Sequence, residues 1–132
     1  MRKLLLLLSL FIITTSCSSS DNDDSGKTNN GSNSFAPPEW IIGTWKSNFG
    51  GTYTFTKDDI IYGAGGTKTS TKEQVATLKK AGIEVSVKET KNNSSYSADY
   101  KFSESTVTFS FTKTSDTVME STGFLDGTYT KQ

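Results

Sequence analysis

The sequence predicts an all-β domain, an antiparallel barrel or sandwich of about seven to eight short strands carrying one short helix. Three observations carry that reading. Between residues 41 and 130, aromatic or aliphatic residues alternate with Thr, Ser and Lys at period 2, the mark of half-buried strands. The alternating runs are short and are separated by polar or glycine turns such as Gly50-Gly51, Lys57-Asp58-Asp59 and Lys91-Asn92-Asn93-Ser94. The period changes once, over residues 70–82, to helical spacing. Consecutive strands joined by tight turns pair antiparallel, and closure into a barrel would remove their exposed edges.

Each element follows from local pattern. Phe35-Ala36-Pro37-Pro38-Glu39-Trp40 leads into the domain, and its two prolines hold it extended. Ile41, Gly43, Trp45 and Phe49 share one parity against Thr44, Lys46 and Asn48, a first strand. Thr52–Thr56 follows with Tyr53 and Phe55 inward, then Ile60–Tyr62. Gly63–Thr69 reads as a glycine-rich loop ahead of the helix. Such a loop suggests phosphate binding, but a P-loop needs Gly immediately before its Lys, and Thr67 stands before Lys68. Ser70 and Glu73 have capping-box spacing, Val75 and Leu78 form an apolar stripe, and Gly82 sits where a C-terminal cap belongs. Strands resume with Ile83, Val85 and Val87 inward, then Tyr96, Ala98, Tyr100 and Phe102, then Val107, Phe109 and Phe111. Thr117–Ser121 and Gly123–Thr130 complete the set.

The residues ahead of the domain address location. Arg2 and Lys3 precede an apolar run, Leu4–Ile13, broken only by Ser9, and Thr14, Thr15 and Ser16 follow. This is a secretory leader, with a core of about 10 residues where roughly 20 are needed to span a bilayer. Cys17, the single cysteine, ends the small-residue patch, and the whole resembles a bacterial lipoprotein signal. The resemblance implies cleavage before Cys17, acylation of that residue and a membrane anchor; Thr14 departs from the usual Leu. Ser18–Ser34 holds no aliphatic or aromatic residue and reads as a flexible leash, with a root-mean-square span of roughly 20–25 Å. Asp21, Asp23 and Asp24 are similar to the acidic export signal of Bacteroidetes surface lipoproteins, which implies an outer-membrane, cell-surface address; the alternative is a solvated acidic linker. The expected organisation is a leader over 1–16, a lipidated linker over 17–38 and a folded domain over 39–132.

Ile42-Gly43-Thr44-Trp45 resembles the Gly-x-Trp opening of lipocalins and related calycin barrels. The order of lipidated Cys, polar leash, Gly-Thr-Trp and alternating Thr/aromatic strands is similar to the short lipocalin-like lipoproteins of Bacteroidetes. Gly-Thr-Trp followed by a glycine turn is also similar to avidin, without a biotin-site pattern. The resemblance implies that Gly43 and Trp45 plug one end of a barrel and that a small apolar or amphipathic ligand enters the other. Tyr53, Phe55, Tyr96, Tyr100 and Phe109 are the candidate lining. Two readings of these aromatics stay open: a filled core, or a cavity in which a buried phenol awaits a partner. With a filled barrel, the domain is instead a protein-interaction or inhibitor module acting through Lys57–Asp59, Gly63–Ser70 and Lys91–Ser95. Asp116-Thr117-Val118 resembles the O-glycosylation site of Bacteroidetes, with Thr117 the acceptor.

Composition excludes more than it assigns. The chain carries 14 basic and 14 acidic residues, and removal of Arg2 and Lys3 with the leader leaves a net charge near −2, so no basic excess points to nucleic acid. No histidine is present and the only thiol is committed to lipid, so the commonest general base, metal ligand and nucleophile are missing. The acids Asp58, Asp59, Glu84, Asp99, Glu104 and Asp116 fall at turns or on outward parity and read as solvated. The expectation is a non-catalytic monomer without cofactor or metal.

Overall fold

Ten strands form one antiparallel sheet in the computed structural model, which describes residues 27–32 and 34–132. Nine of them make an up-and-down meander: β2 (Gly43–Ser47), β3 (Gly51–Phe55), β4 (Ile60–Ala64), β5 (Thr67–Ser70), β6 (Val85–Lys91), β7 (Ser95–Phe102), β8 (Ser105–Lys113), β9 (Val118–Ser121) and β10 (Gly127–Lys131). The meander returns on itself, because β10 pairs with β2. It is interrupted between β5 and β6, where the chain leaves the sheet to form α1 (Thr71–Lys80). The remaining strand, β1 (Lys27–Ser32), pairs antiparallel with β6. The two edges of the sheet are therefore β1 and β5, and α1 packs on β4, β5 and β6 across the interruption.

Ring contacts show the curl. β3 and β8 are four pairings apart, which in a flat sheet is about 19 Å. The Tyr53 and Phe111 rings nevertheless meet edge-on at 4.9 Å, and Phe55 meets Phe111 at 5.0 Å. The sheet is rolled around an aromatic interior. The fold is the all-β antiparallel class with one short helix that the alternating pattern predicts, consistent with a lipocalin-like arrangement.

The strand count differs from expectation at two places. The stretch read as a glycine loop is a hairpin: Ala64 pairs with Thr67 across Gly65-Gly66, both at positive φ (62° and 86°), as a two-residue type I′ turn requires. Lys27–Ser32, read as leash, lies along β6 at the edge that the interrupted meander leaves open. The first strand starts at Gly43, because Glu39–Ile41 form a 3-10 turn that buries Ile41. It ends at Ser47, whose Oγ accepts from the amides of Phe49 and Gly51 and turns the chain. Phe49, expected inward, is 95% exposed. The last strand begins at Gly127, since residues 122–126 cross the end of the sheet and pair with β8 through Thr122 N–H to Ser110 O and Phe124 N–H to Thr108 O.

The helix ends follow the sequence signals. Ser70 Oγ accepts from Glu73 N–H at 3.1 Å. At the other end Gly82 N–H bonds to Lys79 O and Ile83 N–H to Leu78 O, the Schellman pattern. Asp59 corrects the reading of the acids as solvated. It is buried, and its carboxylate accepts from Ser70 Oγ, from Thr71 Oγ1 at 2.9 Å and from Lys72 N–H at 2.9 Å. Negative charge at a helix N-terminus with three donors is a stable arrangement, and it pins α1 to the β3–β4 turn. Residues 1–26, with the expected leader, Cys17 and the trio Asp21, Asp23 and Asp24, lie outside the described residues. Among the described residues no helix is long and apolar enough to cross a membrane.

Candidate functional site

Period-2 geometry on β3, β7 and β8 turns Tyr53, Phe55, Tyr96, Tyr100 and Phe109 into the interior, where all five are buried. They belong to one connected cluster. Tyr53 stacks on Phe55 at 5.6 Å and meets Phe109 edge-on at 6.4 Å. Phe111 joins Tyr96 (6.2 Å) to Tyr53. Tyr100 reaches Phe109 through a residue from outside the meander: Phe35 lies edge-on to Tyr100 at 5.8 Å and to Phe109 at 6.3 Å. Phe35, assigned by its sequence position to the linker, is 2% exposed and is part of the core.

A strap holds Phe35 there. Ala36 N–H donates to Glu89 Oε1 at 2.7 Å, the Lys91 ammonium donates to Ala36 O, and the Trp40 indole N–H donates to Asn92 O at 2.9 Å. Glu89 is 1% exposed and also accepts from Tyr96 OH at 2.6 Å. Neither residue was singled out from the sequence, although each left a signal there. Glu89 continues the inward parity of Val85 and Val87, and Phe35 is the first apolar residue after seventeen that have none.

Buried phenols need partners, and the hydroxyls divide on that point. Tyr53 donates to Phe124 O, Tyr129 to Leu125 O at 2.9 Å and Tyr96 to Glu89. Tyr62 and the Gln74 amide meet at 3.3 Å. Tyr100 is different: its side chain is 2% exposed, and its hydroxyl has no hydrogen-bond partner among the described residues. Burial raises the pKa of Tyr53 and Tyr129 above the phenol value. Burial, then the neighbouring Glu89 charge, raises that of Tyr96. Burial, then Tyr62, raises that of Tyr100. All four stay protonated at neutral pH.

The two ends of the rolled sheet are covered. At one, Trp45 is buried, its indole N–H donates to Ile41 O at 2.8 Å, and Lys131 Nζ lies 5.4 Å from its ring centroid. Gly43 lies at φ 130°, and a Cβ there would come 3.0 Å from Lys131 Cε. At the other end Phe124 stands edge-on to Tyr62 at 4.9 Å and to Phe109 at 5.8 Å. That cover depends on Gly123, where a Cβ would fall 2.3 Å from Thr108 O.

No family model, no curated protein and no solved structure matches this chain. Outside the core, a groove of about 360 Å³ runs between Lys68–Ser70 on β5 and Glu73, Gln74, Thr77 and Leu78 on α1. Thr117 is exposed in the β8–β9 turn, beside the Lys113–Asp116 ion pair. Among the described residues no group of three or more His, Cys, Asp or Glu converges.

Proposed function

We propose that this chain is a lipid-anchored bacterial lipoprotein, held at the outer membrane through Cys17 and exported to the surface by Asp21, Asp23 and Asp24. Its rolled sheet binds a small apolar or amphipathic ligand without catalysis. The observation that carries the ligand reading is Tyr100: a buried phenol without a partner among the described residues, inside an aromatic interior whose other buried phenols are satisfied. An unmade hydrogen bond in such a setting costs about 1–3 kcal/mol, and a ligand oxygen would recover it. The polar leash, the apolar leader and the net charge near −2 support the anchored, non-nucleic-acid part of the reading.

The test is thermal denaturation of the protein with a panel of medium-chain fatty acids and alkylphenols, against their short polar analogues. Saturation at 100 times Kd stabilises by about 2.7 kcal/mol, a rise of roughly 10–20 °C in Tm for a domain of this size. No rise with any apolar member of the panel contradicts the reading.

A second reading has its own support. Phe49 stands exposed on the β2–β3 turn, the Gly65-Gly66 hairpin is tight and exposed, and Tyr53, Tyr96 and Tyr129 are satisfied from within. In that reading the domain is a filled scaffold that meets a protein partner through its turns. Phe49→Ala abolishing binding to a purified protein partner, with Tm unchanged, would favour it.

A further inference from the structure

We propose that Phe35 is an internal occupant of the ligand site: the space it fills between Tyr100 and Phe109 accepts a small amphiphile with a ring-sized apolar body and an acceptor oxygen for Tyr100 OH, and binding expels the Phe35–Trp40 strap. This deepens the ligand reading above and rests on it.

Three observations converge on the site. Phe35 does not come from the rolled sheet. It enters from the segment that joins β1 to the 3-10 turn, so it can leave without breaking a pairing of the meander. Its ring touches two residues of the candidate lining, Tyr100 and Phe109, edge-on, as a bound aromatic would. The one buried side-chain polar atom without a partner among the described residues belongs to one of those two neighbours. The Phe35 side chain carries no oxygen or nitrogen that could accept from a hydroxyl. An amphiphile of similar breadth offers the same ring contacts and an oxygen besides.

The strap is built to be exchanged. Its hydrogen bonds to the sheet lie at separate points, Ala36 N–H to Glu89, Lys91 to Ala36 O and Trp40 to Asn92 O. Glu89 keeps a donor, Tyr96 OH, when Ala36 departs, so its carboxylate is not left bare.

The competition makes the inference measurable, because an apparent affinity is reduced by the fraction of molecules in which the site is free. The experiment uses the full chain in lipid nanodiscs with empty nanodiscs subtracted, and the probes are p-cresol and toluene, which differ by one hydroxyl. Phe35→Ala binds p-cresol at least about tenfold tighter than wild type, since the competing ring is gone. In the Phe35→Ala background, Tyr100→Phe removes the preference for p-cresol over toluene. In wild type, p-cresol raises deuterium exchange at the Ala36 amide. Should Phe35→Ala not fold, Phe35→Leu, which leaves a smaller void, is read by the same affinity ratio and shows a gain of severalfold. Equal affinity in wild type and the Phe35 variant, or binding with Ala36 exchange unchanged, overturns the inference while the ligand reading stands. Failure of wild type and variants to bind either probe overturns the inference; if the fatty acid and alkylphenol panel is also without effect, the ligand reading falls with it.

Discussion

Single side chains decide which parts of the interior are fixed. Trp45 is wholly buried, bonded to Ile41 O and covered by Lys131, so Trp45→Ala is expected to cost on the order of 3–5 kcal/mol, read as a fall in the urea midpoint. Phe49→Ala removes a ring that is 95% exposed and is expected to change stability by less than about 0.5 kcal/mol. Both aromatics share a parity in the sequence, and the difference between them lies in Ser47, whose side chain captures two amides and ends the strand. Alternation alone does not register such a stop. The tyrosines set the alkaline limit. Tyr53, Tyr96, Tyr100 and Tyr129 have folded pKa values raised by burial, so the folded chain holds protons that the unfolded chain releases above about pH 10. Stability is flat with respect to these groups below that pH and falls above it. Absorbance titration at 295 nm in the native state will show these four ionising above the ordinary phenol range; four ordinary phenol titrations with the fold intact would contradict their placement.

At the scale of elements, local signals were most readable where the backbone itself demands a residue type. The capping pair Ser70/Glu73 and the Gly82 terminator bound α1 where the sequence places them. The Gly65-Gly66 turn was visible as glycine but not as a hairpin, because Thr67–Ser70 has no apolar residue to mark a strand. Gly65→Val has open space for its side chain and should still cost about 1–2 kcal/mol, through the left-handed backbone alone. Gly123→Ala acts differently: its Cβ collides with Thr108 O, so the 122–126 segment must part from β8. Faster amide exchange at Thr122 and Phe124, with the β3–β4 ladder unaffected, is the expected signature. Asp59 was not legible as a buried group, since adjacent acids in a turn read as solvent-facing. Only the fold reveals three donors converging on it. Asp59→Ala orphans those donors and should lower stability by about 1–3 kcal/mol.

On the scale of the whole molecule, the alternating pattern reported an all-β antiparallel sheet and the five inward aromatics that meet inside it. It did not report where the ring of strands opens, because that depends on the chain leaving the sheet between β5 and β6 and on β1 arriving from the polar leash. Nor did it report that Phe35 completes the interior, a contact between residues 65 and 74 positions apart in the sequence. The ligand reading requires this interior to hold a small amphipathic molecule in the native organism. The most direct test is native mass spectrometry of the intact protein purified from its own organism, compared with the denatured chain. A reproducible extra mass present only in the native spectrum, and weakened by Tyr100→Phe, is the predicted result. A native mass equal to the denatured one across preparations would contradict the claim and leave the filled scaffold in its place.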